Sequence, residues 1–153
     1  MENVWDYPRP PALVPCDRRV RLELGGMPIA DSTRALRVLE TSHPPTVYVP
    51  AGDVAAGVLH PAGQGSSCEW KGRAAYYDVT AGGRTVARAA WSYPAPTARF
   101  AALADHVSFY PARVDAAWLD DELVRAQPGD FYGGWITSDL RGPFKGGAGT
   151  GGW

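Results

Sequence analysis

Arg73-Ala74-Ala75-Tyr76-Tyr77-Asp78-Val79, the pair Gly82-Gly83, and Thr85-Val86-Ala87-Arg88-Ala89-Ala90-Trp91-Ser92-Tyr93 make the stretch on which the fold turns. Two runs containing aromatic and β-branched residues flank a two-glycine break, the pattern of a β-hairpin. These strands are expected at the centre of an antiparallel sheet. By the two-residue period of a strand, Thr85, Ala87, Ala89, Trp91 and Tyr93 fall on one face, with Arg88 and Ser92 on the other.

The same signals continue outward. Val20, Leu22 and Leu24 alternate with Arg19, Arg21 and Glu23, which gives a strand with one buried face. Gly25-Gly26 turns it into a second strand over 27–30. Segments 34–40 and 46–49 read as strands, Asp53 is placed to cap a helical turn over 54–59, and 61–67 reads as a Gly/Ser loop. In the first 17 residues Pro8, Pro10, Pro11 and Pro15 exclude a helix. This arm offers Trp5 and Tyr7 either as buried anchors or as the lid of a pocket. Downstream, Thr97 is a candidate N-cap for a helix with Phe100, Leu103 and Ala104 as its apolar stripe. Segment 107–110 is a strand, and a last hairpin, 114–119 with 122–124, turns at Asp120-Asp121. The expectation is a mainly β chain of about nine strands and two short helices in one domain, with an arm over 1–17, a β core over 18–126 and a Gly/Pro/aromatic tail over 127–153. Of the Tyr-Pro bonds at Tyr7, Tyr93 and Tyr110, that of Tyr93-Pro94 is the favoured cis candidate, since it ends a central strand abruptly.

Charge and cysteine content exclude several function classes. The 153 residues carry 15 basic and 16 acidic side chains. That balance lacks the basic footprint that neutralising phosphates demands, so neither nucleic acid nor an anionic membrane is an expected partner. No stretch approaches the ~20 apolar residues of a membrane span, and the start, Met1 to Asp6, is acidic without a signal-peptide core. The expected location is the cytoplasm, where Cys16 and Cys68 are free thiols. Two cysteines cannot build paired zinc knuckles, and His43, His60, His106 and Cys68 show no metal-site spacing. No metal or cofactor is expected. Gly147-Ala148-Gly149-Thr150-Gly151-Gly152 matches a dinucleotide fingerprint in letters only, because neither the strand before it nor the helix after it is in evidence.

One polar cluster stands out. Glu40-Thr41-Ser42-His43 is followed by Pro44-Pro45, which restricts the chain and presents the cluster in few conformations. If the ends of neighbouring strands bring in Cys68, Glu69 and Lys71, a carboxylate, an imidazole, a thiol and an ammonium converge. The bland alternatives are a solvated Glu69–Lys71 pair and Cys68 as a small buried hydrophobe. Tyr48, Trp70, Tyr76, Tyr77, Trp91, Tyr93, Phe109, Tyr110, Phe131, Tyr132 and Trp135 form an aromatic set that could line a cage for a flat or cationic ligand, with Trp70, Tyr77, Trp91, Tyr93, Tyr110 and Trp135 as the candidate wall residues, against the ordinary reading of an aromatic core.

Several of the strings are unusual: Val4-Trp5-Asp6-Tyr7-Pro8-Arg9-Pro10, Arg34 to Pro45, Cys68-Glu69-Trp70-Lys71-Gly72, Ala90-Trp91-Ser92-Tyr93-Pro94, His106 to Pro111, and Gln127-Pro128-Gly129-Asp130-Phe131-Tyr132-Gly133-Gly134-Trp135. In this order they resemble the bacterial and fungal family of domain-of-unknown-function 427. The resemblance implies a β-tent-like fold, two antiparallel sheets packed at an angle, with a small-molecule cleft on one side. Related tents are zinc-knuckle proteins, methionine sulfoxide reductases of the B type and the ligand-binding domain of cereblon. The family's last hairpin usually reads Asp-Gly, where this chain has Asp120-Asp121. The family has no established reaction, so the resemblance supplies a fold and a site but no activity.

The leading expectation is a domain, monomeric or homodimeric, that recognises a small molecule such as a modified base, an amide or a cyclic imide. Aromatics would hold its faces, and Glu40, His43, Glu69 and Lys71 its edges. The imide comes only from the resemblance to other tents. One rival is an enzyme with Cys68 as nucleophile or redox thiol, in which His43 and Glu40 or Glu69 move protons. Another is an interaction domain that exchanges its arm and tail between protomers.

Overall fold

The Gly82-Gly83 break is the turn between the two longest strands of the second half of the chain. A computed structural model of the protein describes residues 1–68, 70–129 and 131–153, and for Gln64 and Ser66 the backbone only. In chain order the strands are β1 (Glu2–Asn3), β2 (Ala12–Pro15), β3 (Val20–Leu24), β4 (Met27–Ser32), β5 (Leu36–Leu39), β6 (Thr46–Pro50), β7 (Leu59–Cys68) and β8 (Gly72–Ala81). They continue with β9 (Arg84–Ser92), β10 (His106–Phe109), β11 (Ala116–Leu119), β12 (Glu122–Leu123), β13 (Arg125–Ala126), β14 (Trp135–Ile136) and β15 (Leu140–Arg141). The chain is mainly β and mainly antiparallel, an arrangement consistent with a β-tent-like fold. A seven-stranded sheet runs β2-β5-β6-β10-β9-β8-β7 and a four-stranded sheet runs β12-β11-β3-β4, with two further strand pairs, β1-β15 and β13-β14.

Both faces of the seven-stranded sheet are covered. One packs on the four-stranded sheet and buries Val47, Val49, Val107 and Phe109 against Val20, Leu22, Leu24 and Leu119. Complete burial of side chains this size stabilises by roughly 1.5–3 kcal/mol each. The two sheets also meet at their hairpin tips. Gly25 and Gly82 both have positive φ, at 60° and 56°, and a Cβ on either would overlap the other's backbone. The other face buries Val38, Tyr48, Trp91, Tyr93, Phe100, Leu103 and Tyr110.

Several expectations are corrected. Thr85, Ala87, Ala89, Trp91 and Tyr93 do not share one buried face. Arg88 takes φ 49° and donates its backbone N–H to Asp78 Oδ1 at 2.9 Å, a bulge that shifts the β8–β9 register. Thr85 and Ala87 are exposed, Ala89 joins the core between the sheets, and Trp91 and Tyr93 the cluster on the outer face. Residues 61–67 lie within β7, not in a loop. As β7 is an edge strand, Pro61 can lack its N–H there, and the Pro and Gly residues appear as two register shifts. Asp53 ends the 3₁₀ turn Ala51–Asp53 and caps no helix over 54–59; its carboxylate accepts from Ser32 Oγ and from the Arg34 guanidinium. The helical segments among the described residues are 3₁₀ turns: Val4–Asp6, Ala51–Asp53, Ala98–Leu103 and Pro111–Arg113. Ala98–Leu103 buries Phe100 and Leu103 but leaves Ala104 exposed, and the Thr97 hydroxyl donates to the Trp70 carbonyl instead of capping. At the last hairpin Asp120 is left-handed, with φ 51°. Among the described residues the cis bonds are Arg9-Pro10 and Gly142-Pro143, and Tyr93-Pro94 is not one of them.

The arm and the tail are bound to each other as well as to the core. β2 extends the seven-stranded sheet by pairing with β5, and β1 pairs in parallel with β15. Trp5 Nε1 donates to the Pro143 carbonyl at 2.8 Å, and the Trp5 and Trp153 rings meet edge to face at 5.2 Å. No helix among the described residues is long and apolar enough to cross a membrane.

Candidate functional site

Strand register builds the floor of a cavity. In antiparallel pairs, directly opposed residues share a face. Leu36, Tyr48, Ser108, Trp91 and Tyr76 form one such row across β5, β6, β10, β9 and β8. Above it lies a cavity of about 280 Å³. Val38 and Glu40 enter it from the end of β5, Thr46 and Tyr48 from β6, Ala74 and Tyr76 from β8, Trp91 and Tyr93 from β9, and Tyr110 from the end of β10. The β7–β8 turn adds Ser67, Cys68, Trp70 and Lys71. His43 and Pro44 come from the turn before β6, and the tail closes the remaining side with Gln127, Phe131, Tyr132, Gly133 and Lys145.

The rings of the floor hold one another. Trp91 Nε1 donates to Tyr48 Oη at 3.2 Å, with the two rings edge to face. The Trp91 and Tyr110 ring centres lie 4.6 Å apart, and Tyr110 Oη donates to the Phe131 carbonyl. Burial raises the phenol pKa values of Tyr48, Tyr93 and Tyr110, so all three keep their protons and remain donors. Gly133 rests against this floor; a Cβ there would overlap the six-membered ring of Trp91.

His43 is the imidazole of the cavity, and its titration is strongly perturbed. Burial pushes its pKa down to about 4, with smaller contributions from the positive charges of Lys145, Arg9 and Lys71. At pH 7 it is a neutral imidazole. Its tautomer follows from Gln127, whose Oε1 accepts from the Gly134 N–H at 3.0 Å and whose Nε2 donates to the Lys145 carbonyl at 2.7 Å. Gln127 Nε2 also lies 3.3 Å from His43 Nδ1. An amide nitrogen only donates, so Nδ1 accepts and the proton sits on Nε2. Nε2 stands 3.8 Å from Glu40 Oε2, and Glu40 is in turn 3.5 Å from Arg9 Nε. Arg9 also bonds the carbonyls of Thr41 and Trp153, which ties this wall to both the arm and the end of the chain.

Residues 12–120 match the family described as Domain of unknown function (DUF427). The chain belongs to this family. The matched stretch carries the sheet floor, the His43 turn and the β7–β8 turn, whereas Gln127, Tyr132, Gly133 and Lys145 lie beyond it. A search of curated proteins finds no match to the chain.

Of the candidates named from sequence, Glu40, His43, Cys68, Trp70, Lys71, Trp91, Tyr93 and Tyr110 line the one cavity. Glu69 lies outside the described residues. Tyr77 and Trp135 do not line it. Tyr77 is paired with Ala90 on the opposite face from Tyr76, and its hydroxyl bonds Ser92 Oγ at 2.9 Å. Trp135 is buried between the sheets with its Nε1–H on the Phe109 carbonyl. Trp5 and Tyr7 are not part of the wall, and Tyr7 bonds Glu2. His43 and Cys68 share the cavity, yet among the described residues no hydrogen bond joins them. Sequence reasoning missed Gln127, Gly133 and Lys145, which sit in the aperiodic tail. It also left Tyr48 and Tyr76 out of the site set, although strand parity places both with Trp91.

Proposed function

We propose that this cavity binds a small planar molecule. The reading is carried by one observation: a rigid aromatic floor of Tyr48, Trp91, Tyr93 and Tyr110 faces a neutral His43 whose Nε2–H is fixed as a donor. A flat ring is held by dispersion and stacking against the floor. A carbonyl-type oxygen on its edge accepts from His43 Nε2–H, and a ring N–H has Glu40 as its acceptor. An amide, a cyclic imide or a modified base has this combination of edges. The floor and the Gln127–His43 pair are held by hydrogen bonds and ring contacts within the protein, so little ordering cost falls on binding. A ligand-observed NMR screen of planar amides, imides and bases tests the reading. Binders displaced by one another and lost in Gly133→Leu support it, and a screen without a single binder contradicts it.

The second reading is an enzyme using Cys68, favoured by Cys68 and His43 lining the same cavity. It ranks lower because an imidazole with a pKa of about 4 is a weak base at neutral pH, and its Nδ1 is occupied by Gln127.

A further inference from the structure

The fifteen basic residues of the chain are thirteen arginines and two lysines. Both lysines, Lys71 and Lys145, line the cavity. They arrive from separate places, the β7–β8 turn and the tail. Lys71 Nζ stands 5.7 Å from the centre of the Tyr93 ring, and Lys145 Nζ 5.5 Å from that of Tyr132. Both are half-buried, and among the described residues neither meets a carboxylate, whereas Arg9, Arg18, Arg19, Arg34, Arg37 and Arg84 all do. Glu40, the carboxylate of the wall among the described residues, is engaged by Arg9. The depressed pKa of His43 has Lys145, Arg9 and Lys71 among its causes, so it reports the same positive field.

A partly desolvated ammonium without a counter-ion is costly, and an anion brought to it removes that cost. Lysine offers a compact charge with three donors that turn to suit an oxygen, unlike the fixed fork of arginine. The same field disfavours a cation, despite the aromatic walls. We infer that the ligand is a planar ring bearing an oxyanion, of which a carboxylate is the simplest, with its ring on the Trp91–Tyr110 floor and its charge met by Lys71 and Lys145. This rests on the reading of the cavity as a small-molecule site and adds the charge of the ligand.

The test uses matched probes on the full chain: benzoate, nicotinate and orotate, the neutral benzamide, nicotinamide and uracil, and the cation benzyltrimethylammonium. Affinities are measured by ligand-observed NMR at low and high salt. The acids are expected to bind about tenfold or more tighter than their neutral partners, one decade per 1.4 kcal/mol, with the advantage shrinking in salt. The double variant Lys71→Met/Lys145→Met is expected to abolish the advantage, so that each acid binds no tighter than its neutral partner. Neutral probes binding as tightly as the acids, the cation binding best, or an advantage that survives the double variant would overturn the anion assignment and leave the small-molecule reading intact. Failure of all seven probes would overturn both.

Discussion

Gln127 Nε2 donates to His43 Nδ1 across 3.3 Å, joining the tail to the turn that precedes β6. The amide is held from two further sides, by the Gly134 N–H and the Lys145 carbonyl. Its orientation therefore sets the histidine tautomer, and ¹⁵N NMR at pH 7 is expected to show His43 protonated on Nε2 and bare on Nδ1.

Gln127 is buried, so replacing it by leucine strands the Gly134 N–H and the Lys145 carbonyl. An unpartnered buried polar group costs about 1–3 kcal/mol. Urea denaturation of Gln127→Leu should show a loss of that order. The Nδ1 signal of His43 should shift in the same variant.

The pH dependence of stability follows from His43. Its folded pKa of about 4 lies below the ordinary 6.5, so the unfolded chain binds more protons between those values. Its contribution is complete above pH 6.5 and is lost as pH falls towards 4. The loss is on the order of 3 kcal/mol. A His43→Gln variant, compared with the parent by chemical denaturation at several pH values, should lack this part of the slope.

Strand-borne features were the legible part of the fold. The Gly25-Gly26 and Gly82-Gly83 turns and the alternation in β3 identify hairpins, because the two-residue period is local. β7 was missed for a physical reason: Pro61, Gly63 and Gly65 look like a loop, yet an edge strand needs hydrogen bonds on one side only. The Arg88 bulge was equally silent, since nothing in an arginine announces a positive φ. In the site, Trp91, Tyr93 and the His43 turn were readable. Choosing Tyr77 over Tyr76 is a one-residue error of parity that exchanges the two faces of the sheet. Gln127 and Lys145 reach the cavity only through long-range closure of an aperiodic tail, which no local pattern encodes.

Gly133 separates cavity shape from cavity chemistry. A methyl group there would overlap Trp91, so Gly133→Ala should push the ring into the open space and weaken any bound probe about tenfold or more. Isothermal titration checks the affinity, and the thermal midpoint tells a filled cavity from an unfolded chain.

Cys68 distinguishes binding from catalysis. If the cavity only binds, Cys68→Ser keeps probe affinity within about threefold, less than 1 kcal/mol. Any turnover found with an electrophilic amide and lost in Cys68→Ser would favour the enzyme.

The most direct test follows the indole N–H signals of the six tryptophans while a planar probe is titrated in. Trp70 and Trp91 line the cavity, whereas Trp135 is buried between the sheets with its N–H on the Phe109 carbonyl. The account predicts saturable shifts at Trp70 and Trp91 with Trp135 unmoved. Shifts confined to other tryptophans, or none with any planar probe, would contradict it.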